Sequence, residues 1–198
     1  MRFWFDFVSP FGYFASLQVD AIGARHGREV EWRPMLVGVS VLKVMGLKPL
    51  LETPLKGDYL RRQIARHKRR HGLQLARSAD DPMMDPRACA KAYYWTLAHA
   101  PQLARPLAQV LYDRYWREGE DLADPDRIVA GRLPAGLDAG ALRAGIDGDE
   151  ARTRLRAEVE ESMRRGVFGS PTVEADGELF WGVDALAELD EWLARGGW

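Results

Sequence analysis

Ser9 stands between an aromatic run and Pro10, and its setting favours chemistry more than that of any other residue in this chain. A serine before a proline is a preferred helix N-cap, with the proline at the first helical position. A hydroxyl there shares a helix end with unpaired N–H groups and the positive pole of the macrodipole, an environment that favours negative charge. On local sequence alone the same serine also reads as nothing more than the cap. Ser170-Pro171 precedes a strand, where an X-Pro bond is either cis or marks the strand's first residue. Asp184, near the start of the last helix, fits a first-turn partner of the dipole. His67 and His71 are spaced i, i+4 within a helix that also carries Arg66, Lys68, Arg69 and Arg70. No HExxH glutamate accompanies them and the cations would oppose another, so no metal site is expected. Cys89 is the single cysteine, which excludes an internal disulfide. Flanked by Ala88, Ala90 and Ala92, it reads as a small buried side chain rather than a nucleophile.

The elements that must position these groups follow from periodicity. Phe3, Phe5 and Phe7 alternate with Trp4 and Asp6, a strand period. From Phe11 the apolar residues Phe14, Leu17, Ala21 and Ile22 recur at helical spacing, and His26-Gly27-Arg28 ends that helix. Glu29 to Met35 alternates again and closes at Pro34, so the opening is a βαβ unit with parallel strands. Strand signals then vanish. Helical stretches are expected at about 37–45, 57–71, 85–99, 102–118, 126–132 and 139–145, separated by prolines and glycines. A further helix is expected over 148–165. Two short strands follow, Thr172–Ala175 and Glu178–Trp181, joined by the hairpin signal Asp176-Gly177. A last helix over 183–195 carries Leu186, Leu189 and Leu193 on one face. The order is β-α-β, a helical insertion, then α-β-β-α.

With 198 residues, 46% of them hydrophobic and 29% charged, the chain can bury one sizeable core. A formal net charge of −1 argues against a dedicated nucleic-acid binder. No apolar run approaches the ~20 residues of a membrane span. Asp6 and Pro10 break the N-terminal apolar run, so it does not read as a signal peptide, and a cytoplasmic location is expected.

Two separated motifs carry a resemblance. Asp6-Phe7-Val8-Ser9-Pro10-Phe11-Gly12-Tyr13 resembles the opening of the 2-hydroxychromene-2-carboxylate isomerases and the kappa-class glutathione transferases, within the DsbA-related thioredoxin superfamily. The second match is Gly166-Val167-Phe168-Gly169-Ser170-Pro171-Thr172, followed by Glu178-Leu179-Phe180-Trp181-Gly182-Val183-Asp184. The resemblance implies an α/β, thioredoxin-like fold with a large all-helical insertion. Residues 1–36 and 147–198 would form the discontinuous thioredoxin-like domain and 37–146 the insertion.

It also implies glutathione as the cofactor and a small-molecule substrate. Ser9 would activate the glutathione sulfur, with Phe11 beside it. Ser170 and Pro171 would form a cis-proline loop pairing with the cysteinyl part, and Val183 and Asp184 would meet the γ-glutamyl end. Lys56, Tyr59 and Arg66 match the relatives' substrate-side pattern, and Leu47, Lys48 and Met84 fall in the same region. Departures concentrate there. Gly46-Leu47-Lys48-Pro49 replaces a Gly-Asn loop, Gln63 replaces an aspartate, Asp81-Pro82-Met83-Met84-Asp85 replaces a Phe-Pro-x-Asn segment, and Ala185 follows Asp184 where relatives often have arginine. An apolar acceptor pocket lined by some of Phe11, Leu47, Met83 and Met84 is therefore expected. The implied activity is a glutathione-dependent isomerase in which the thiolate adds reversibly to an aromatic-derived carboxylate. A kappa-like transferase and a non-catalytic thiol- or peptide-binding module stand as alternatives, and a homodimer is left open. Ser9 and Gly12 occupy the positions of a Cys-x-x-Cys, so disulfide exchange lacks its thiolate.

Overall fold

The computed structural model describes residues 1–198. Four short strands, β1 (Arg2–Phe5), β2 (Glu31–Pro34), β3 (Thr172–Ala175) and β4 (Glu178–Trp181), form one sheet in the order β2-β1-β3-β4. β1 and β2 are parallel, with Phe3 opposite Trp32, while β3 runs antiparallel to both β1 and β4. The two ends of the chain therefore meet in the sheet, with Phe3 also opposite Val173. The helices are α1 (Pro10–Ser16), α2 (Val19–Arg25), α3 (Lys56–Arg70), α4 (Arg87–His99), α5 (Pro101–Tyr112), α6 (Pro125–Ala130), α7 (Ala139–Asp147), α8 (Asp149–Arg164) and α9 (Leu186–Arg195). Wider π-type turns lie at Gly38–Lys43 and Asp113–Arg117. No helix is long and apolar enough to cross a membrane.

β1 alternates aromatic residues on both faces because both faces are covered. Phe3 and Phe5 stack at 5.1 Å and join Phe7, Tyr93 and Tyr112 in the main core. Trp4 points the other way, into a smaller cluster with Met35, Val41 and Val167. Burial of each such ring contributes about 1.5–3 kcal/mol. β2 lies at the edge of the sheet. There the Tyr93 hydroxyl donates to the Trp32 carbonyl at 2.7 Å and that of Tyr94 to the Pro34 carbonyl at 2.6 Å.

The first helix departs from the periodic expectation. It breaks at Leu17-Gln18 into α1 and α2, and Leu17 is exposed rather than buried. The Ser16 hydroxyl takes the Tyr13 carbonyl and the Gln18 amide takes that of Phe14, so side chains displace part of the helical ladder. The last helix also begins later than expected. Val183 and Asp184 lie in the turn between β4 and α9, which starts at Leu186.

Candidate functional site

Ser9 caps α1 with an extended backbone, and its Oγ accepts the Gly12 N–H at 3.0 Å. The same hydroxyl donates to the Ser170 carbonyl at 2.9 Å, across 161 residues of sequence. The Ser170-Pro171 bond is cis. The Ser170 hydroxyl in turn accepts the Asp6 N–H at 2.9 Å, so the two loops are cross-linked twice. Gly12 lies within this contact. A Cβ there would sit 2.7 Å from the Tyr112 hydroxyl and 3.0 Å from Ser170 Oγ. A side chain at this position, including the second cysteine of a redox pair, has no room unless Tyr112 moves.

The turn is held from behind by α5 and the π-type turn that follows it. Tyr112 donates to the Asp6 carbonyl at 3.0 Å and Trp116 Nε1 to the Phe7 carbonyl at 3.0 Å, while Asp113 accepts from Tyr13 at 2.7 Å. Each of these buried polar tips has its partner, as a rigid support requires.

Asp6 lies beneath Ser9 and is 1% exposed. Its carboxylate receives the N–H groups of Val8 at 3.2 Å and Val37 at 2.8 Å, tying the Ser9 turn to the first residues of the helical region. Burial outweighs those two bonds and pushes its pKa up to about 6. Sequence reasoning passed over Asp6, although an acid inside an otherwise aromatic strand was a signal. Cys89 is fully buried, and burial raises its thiol well above the ordinary range, so it offers no thiolate.

A second group of residues gathers at Asp184. Its Oδ2 accepts from Gln63 Nε2 at 3.0 Å, and its Oδ1 lies 3.4 Å from His67 Nε2. Gln63 Nε2 also donates to the Tyr59 hydroxyl at 3.0 Å, and the Arg66 guanidinium sits 5.5 Å over the Tyr59 ring. His67 is wedged against Phe14, with ring centroids 5.3 Å apart, and Phe11, at 6.1 Å. Burial lowers its pKa, which keeps the ring neutral at pH 7. A cleft of about 320 Å³ runs past His67, His71, Val183 and Asp184 toward Leu17 and Asp190. Gln63 and His67 were visible in the sequence only as a departure from the relatives and as a rejected metal pair.

The expected residues thus separate. Ser9, Ser170 and Pro171 form one group, with Asp6 and Gly12. Phe11, Val183, Asp184, Tyr59 and Arg66 belong to the second. Lys48, Lys56 and Leu47 are exposed, as is Met83. Met84 turns into the core, where its sulfur accepts the Leu122 N–H at 3.4 Å, so it does not line an open pocket. A further cleft of about 390 Å³ lies along β2 between Trp32, Tyr93, Tyr94 and Arg105 and shares no residue with either group.

Comparison with known proteins adds four relations. The family model described as the DSBA-like thioredoxin domain matches residues 1–194. A 2-hydroxychromene-2-carboxylate isomerase of Sphingobium xenophagum is 28% identical over 192 residues, covering 96% of each chain. Glutathione S-transferase kappa 1 of Homo sapiens is 22% identical over 206 residues, covering 98% of this chain and 91% of the relative. A solved 2-hydroxychromene-2-carboxylate isomerase structure superposes with a TM-score of 0.82 at 23% identity, over 98% of this chain and 94% of the other.

Proposed function

The chain belongs to the DSBA-like thioredoxin family, and on that premise we propose a glutathione-dependent isomerase resembling 2-hydroxychromene-2-carboxylate isomerase. Its relatives are named as an isomerase and a glutathione transferase, and they support an enzyme of this kind. The division into a discontinuous frame, 1–36 with 147–198, and an inserted helical region, 37–146, is part of the proposal. So are a cytoplasmic location and a small-molecule substrate carrying a carboxylate.

The observation that carries the proposal is the Ser9 hydroxyl, shared between the Gly12 N–H and the Ser170 carbonyl. The donor set suits glutathione. Ser170 offers a main-chain carbonyl beside a cis-proline, Ser9 offers a hydroxyl proton, and Asp184 offers a carboxylate for an ammonium group. When bound, glutathione would supply a thiolate nucleophile. The residues of the chain perform the rest. Ser170 would hold the ligand's main chain through its carbonyl and N–H, the carbonyl being the one that accepts from Ser9 here. Ser9, with its proton turned toward the sulfur, would favour the thiolate over the thiol. Asp6, Tyr112 and Trp116 hold the turn that presents Ser9.

Thermal-shift titration with glutathione, S-methylglutathione and cysteine tests binding; at about a hundred times Kd the fold gains roughly 2.7 kcal/mol. Ultraviolet thiolate absorbance against pH, wild type beside Ser9→Ala, tests the role of the hydroxyl. Superimposable titration curves would return Ser9 to the role of a cap. The kappa-class relative favours one second reading, transfer of glutathione to an electrophile at the same half-site. Turnover of 2-hydroxychromene-2-carboxylate against that of an aryl halide separates the two, and binding with neither turnover leaves a thiol-binding module.

A further inference from the structure

We infer that Gln63 and His67 are positioning residues that aim Asp184 at a cationic ligand group, so that preference for an α-ammonium is set by helix α3. The inference rests on the glutathione reading above. Asp184 lies in the turn before α9, two-thirds of its side chain is exposed, and an exposed carboxylate has several rotamers to choose from. Here Oδ2 has a hydrogen-bond partner from α3 and Oδ1 has a close neighbour from it. Gln63 holds Oδ2 at 3.0 Å and His67 faces Oδ1 at 3.4 Å. The two partners are spaced i, i+4, which places them on one face of the helix.

Both partners are themselves fixed. The Gln63 amide nitrogen has two N–H groups, one donated to Asp184 and the other to the Tyr59 hydroxyl, which orients the amide. That leaves its Oε1 as an acceptor beside the carboxylate, and an ammonium brings three donors. His67 cannot swing away, because Phe14 stacks on its ring, Phe11 meets its edge and His71 lies parallel at 6.1 Å. A neutral imidazole carries a single N–H. Its buried Nδ1 has no partner in the protein, so the proton is best used at Nε2, facing Asp184. Arg66 and Arg70 also neighbour this group, and Arg66 is drawn toward Tyr59. A latch serving only to dock α3 would need none of this ordering around one exposed carboxylate.

The test is calorimetric titration of the full chain with glutathione and with an analogue whose γ-glutamyl group is replaced by glutaryl, which lacks the α-amino group. Wild type should prefer glutathione by roughly 10-fold or more, the usual worth of a hydrogen bond to a charged group. Gln63→Leu and His67→Gln should each cut that ratio several-fold while leaving the analogue's affinity unchanged. Gln63 is only partly buried, whereas His67 is buried, so its variant tests the inference even if His67→Gln does not fold. Wild type that binds neither compound overturns the glutathione reading itself. Wild type that binds both equally removes Asp184 from ammonium recognition, and the inference with it. Wild type that discriminates, beside variants that discriminate just as well, overturns this inference alone.

Discussion

The helical region covers the Ser9 turn with two unlike halves. The rear half, α4 and α5 with the π-type turn after it, presents Tyr93, Tyr94, Tyr112, Tyr115 and Trp116, all buried. Four of these five tips donate to main-chain carbonyls of β2 or the Ser9 turn. The front half, residues 38–59, leaves Val39, Val44, Met45, Leu47, Leu50, Leu55 and Tyr59 exposed. Its backbone includes a π-type turn and Leu55 at a φ of 66°, a sparsely populated conformation that costs a non-glycine residue roughly 1–3 kcal/mol. The difference is physical. Rear positions must satisfy packing and hydrogen bonding together, so few substitutions keep both. In the front half only Ser40, Val41 and Gly57 are buried, and most of the exposed apolar side chains answer to neither demand. A rigid support and a permissive rim would suit the proposed site, in which the glutathione pocket is fixed and the substrate side can vary.

Substitutions should separate the halves cleanly. Tyr112→Ala should cost about 3–5 kcal/mol by chemical denaturation, since it empties a fully buried aromatic site. Leu47→Ala should stay within about 0.5 kcal/mol. Comparable losses at the two positions would dissolve the contrast.

Asp6, where the turn meets the front half, gives the next largest effect. Its folded pKa of about 6 lies above its unfolded value of 3.8, so the folded state holds the proton more tightly. Stability from this group is therefore greatest below about pH 4 and falls as pH rises through 6, by about 3 kcal/mol at 1.36 kcal/mol per unit. Subtracting the denaturation profile of Asp6→Asn from that of wild type should isolate this fall. A difference that stays flat from pH 4 to 7 would mean that the Val8 and Val37 N–H groups fully compensate the buried charge.

Ser9→Ala should cost about 1 kcal/mol, the loss of a cap, read from the denaturation midpoint. A loss of several kcal/mol would make the Ser9–Ser170 bond a structural mainstay of the turn. The smallest effect is expected at Met83, an exposed front residue, where Met83→Ala should leave the melting temperature nearly unchanged.

Much of this was legible in the sequence, and the division follows a physical line. β1, the Ser-Pro cap, the Asp176-Gly177 hairpin and the facing of Ser9 by Ser170-Pro171 rest on local signals or on two motifs. The break at Leu17-Gln18 was not legible, because the Ser16 and Gln18 side chains that cause it are compatible with an unbroken helix. Met84 seemed a plausible pocket residue because sequence does not say which neighbouring methionine turns inward. Asp6 and the Gln63–Asp184–His67 group depend on contacts between distant segments, 121 residues apart for Gln63 and Asp184. No periodicity reports such contacts.

The edge of β2 has a consequence beyond the site. An outermost strand normally offers open carbonyl and N–H groups to any extended chain that meets it, the route to edge-to-edge aggregation. Here Tyr93 and Tyr94 have already taken the Trp32 and Pro34 carbonyls, and proline has no N–H to give. A foreign strand would meet two buried hydroxyls already bonded to those carbonyls and no N–H at Pro34. On that side the tyrosines and the proline make the sheet a poor template for growth at Trp32 and Pro34.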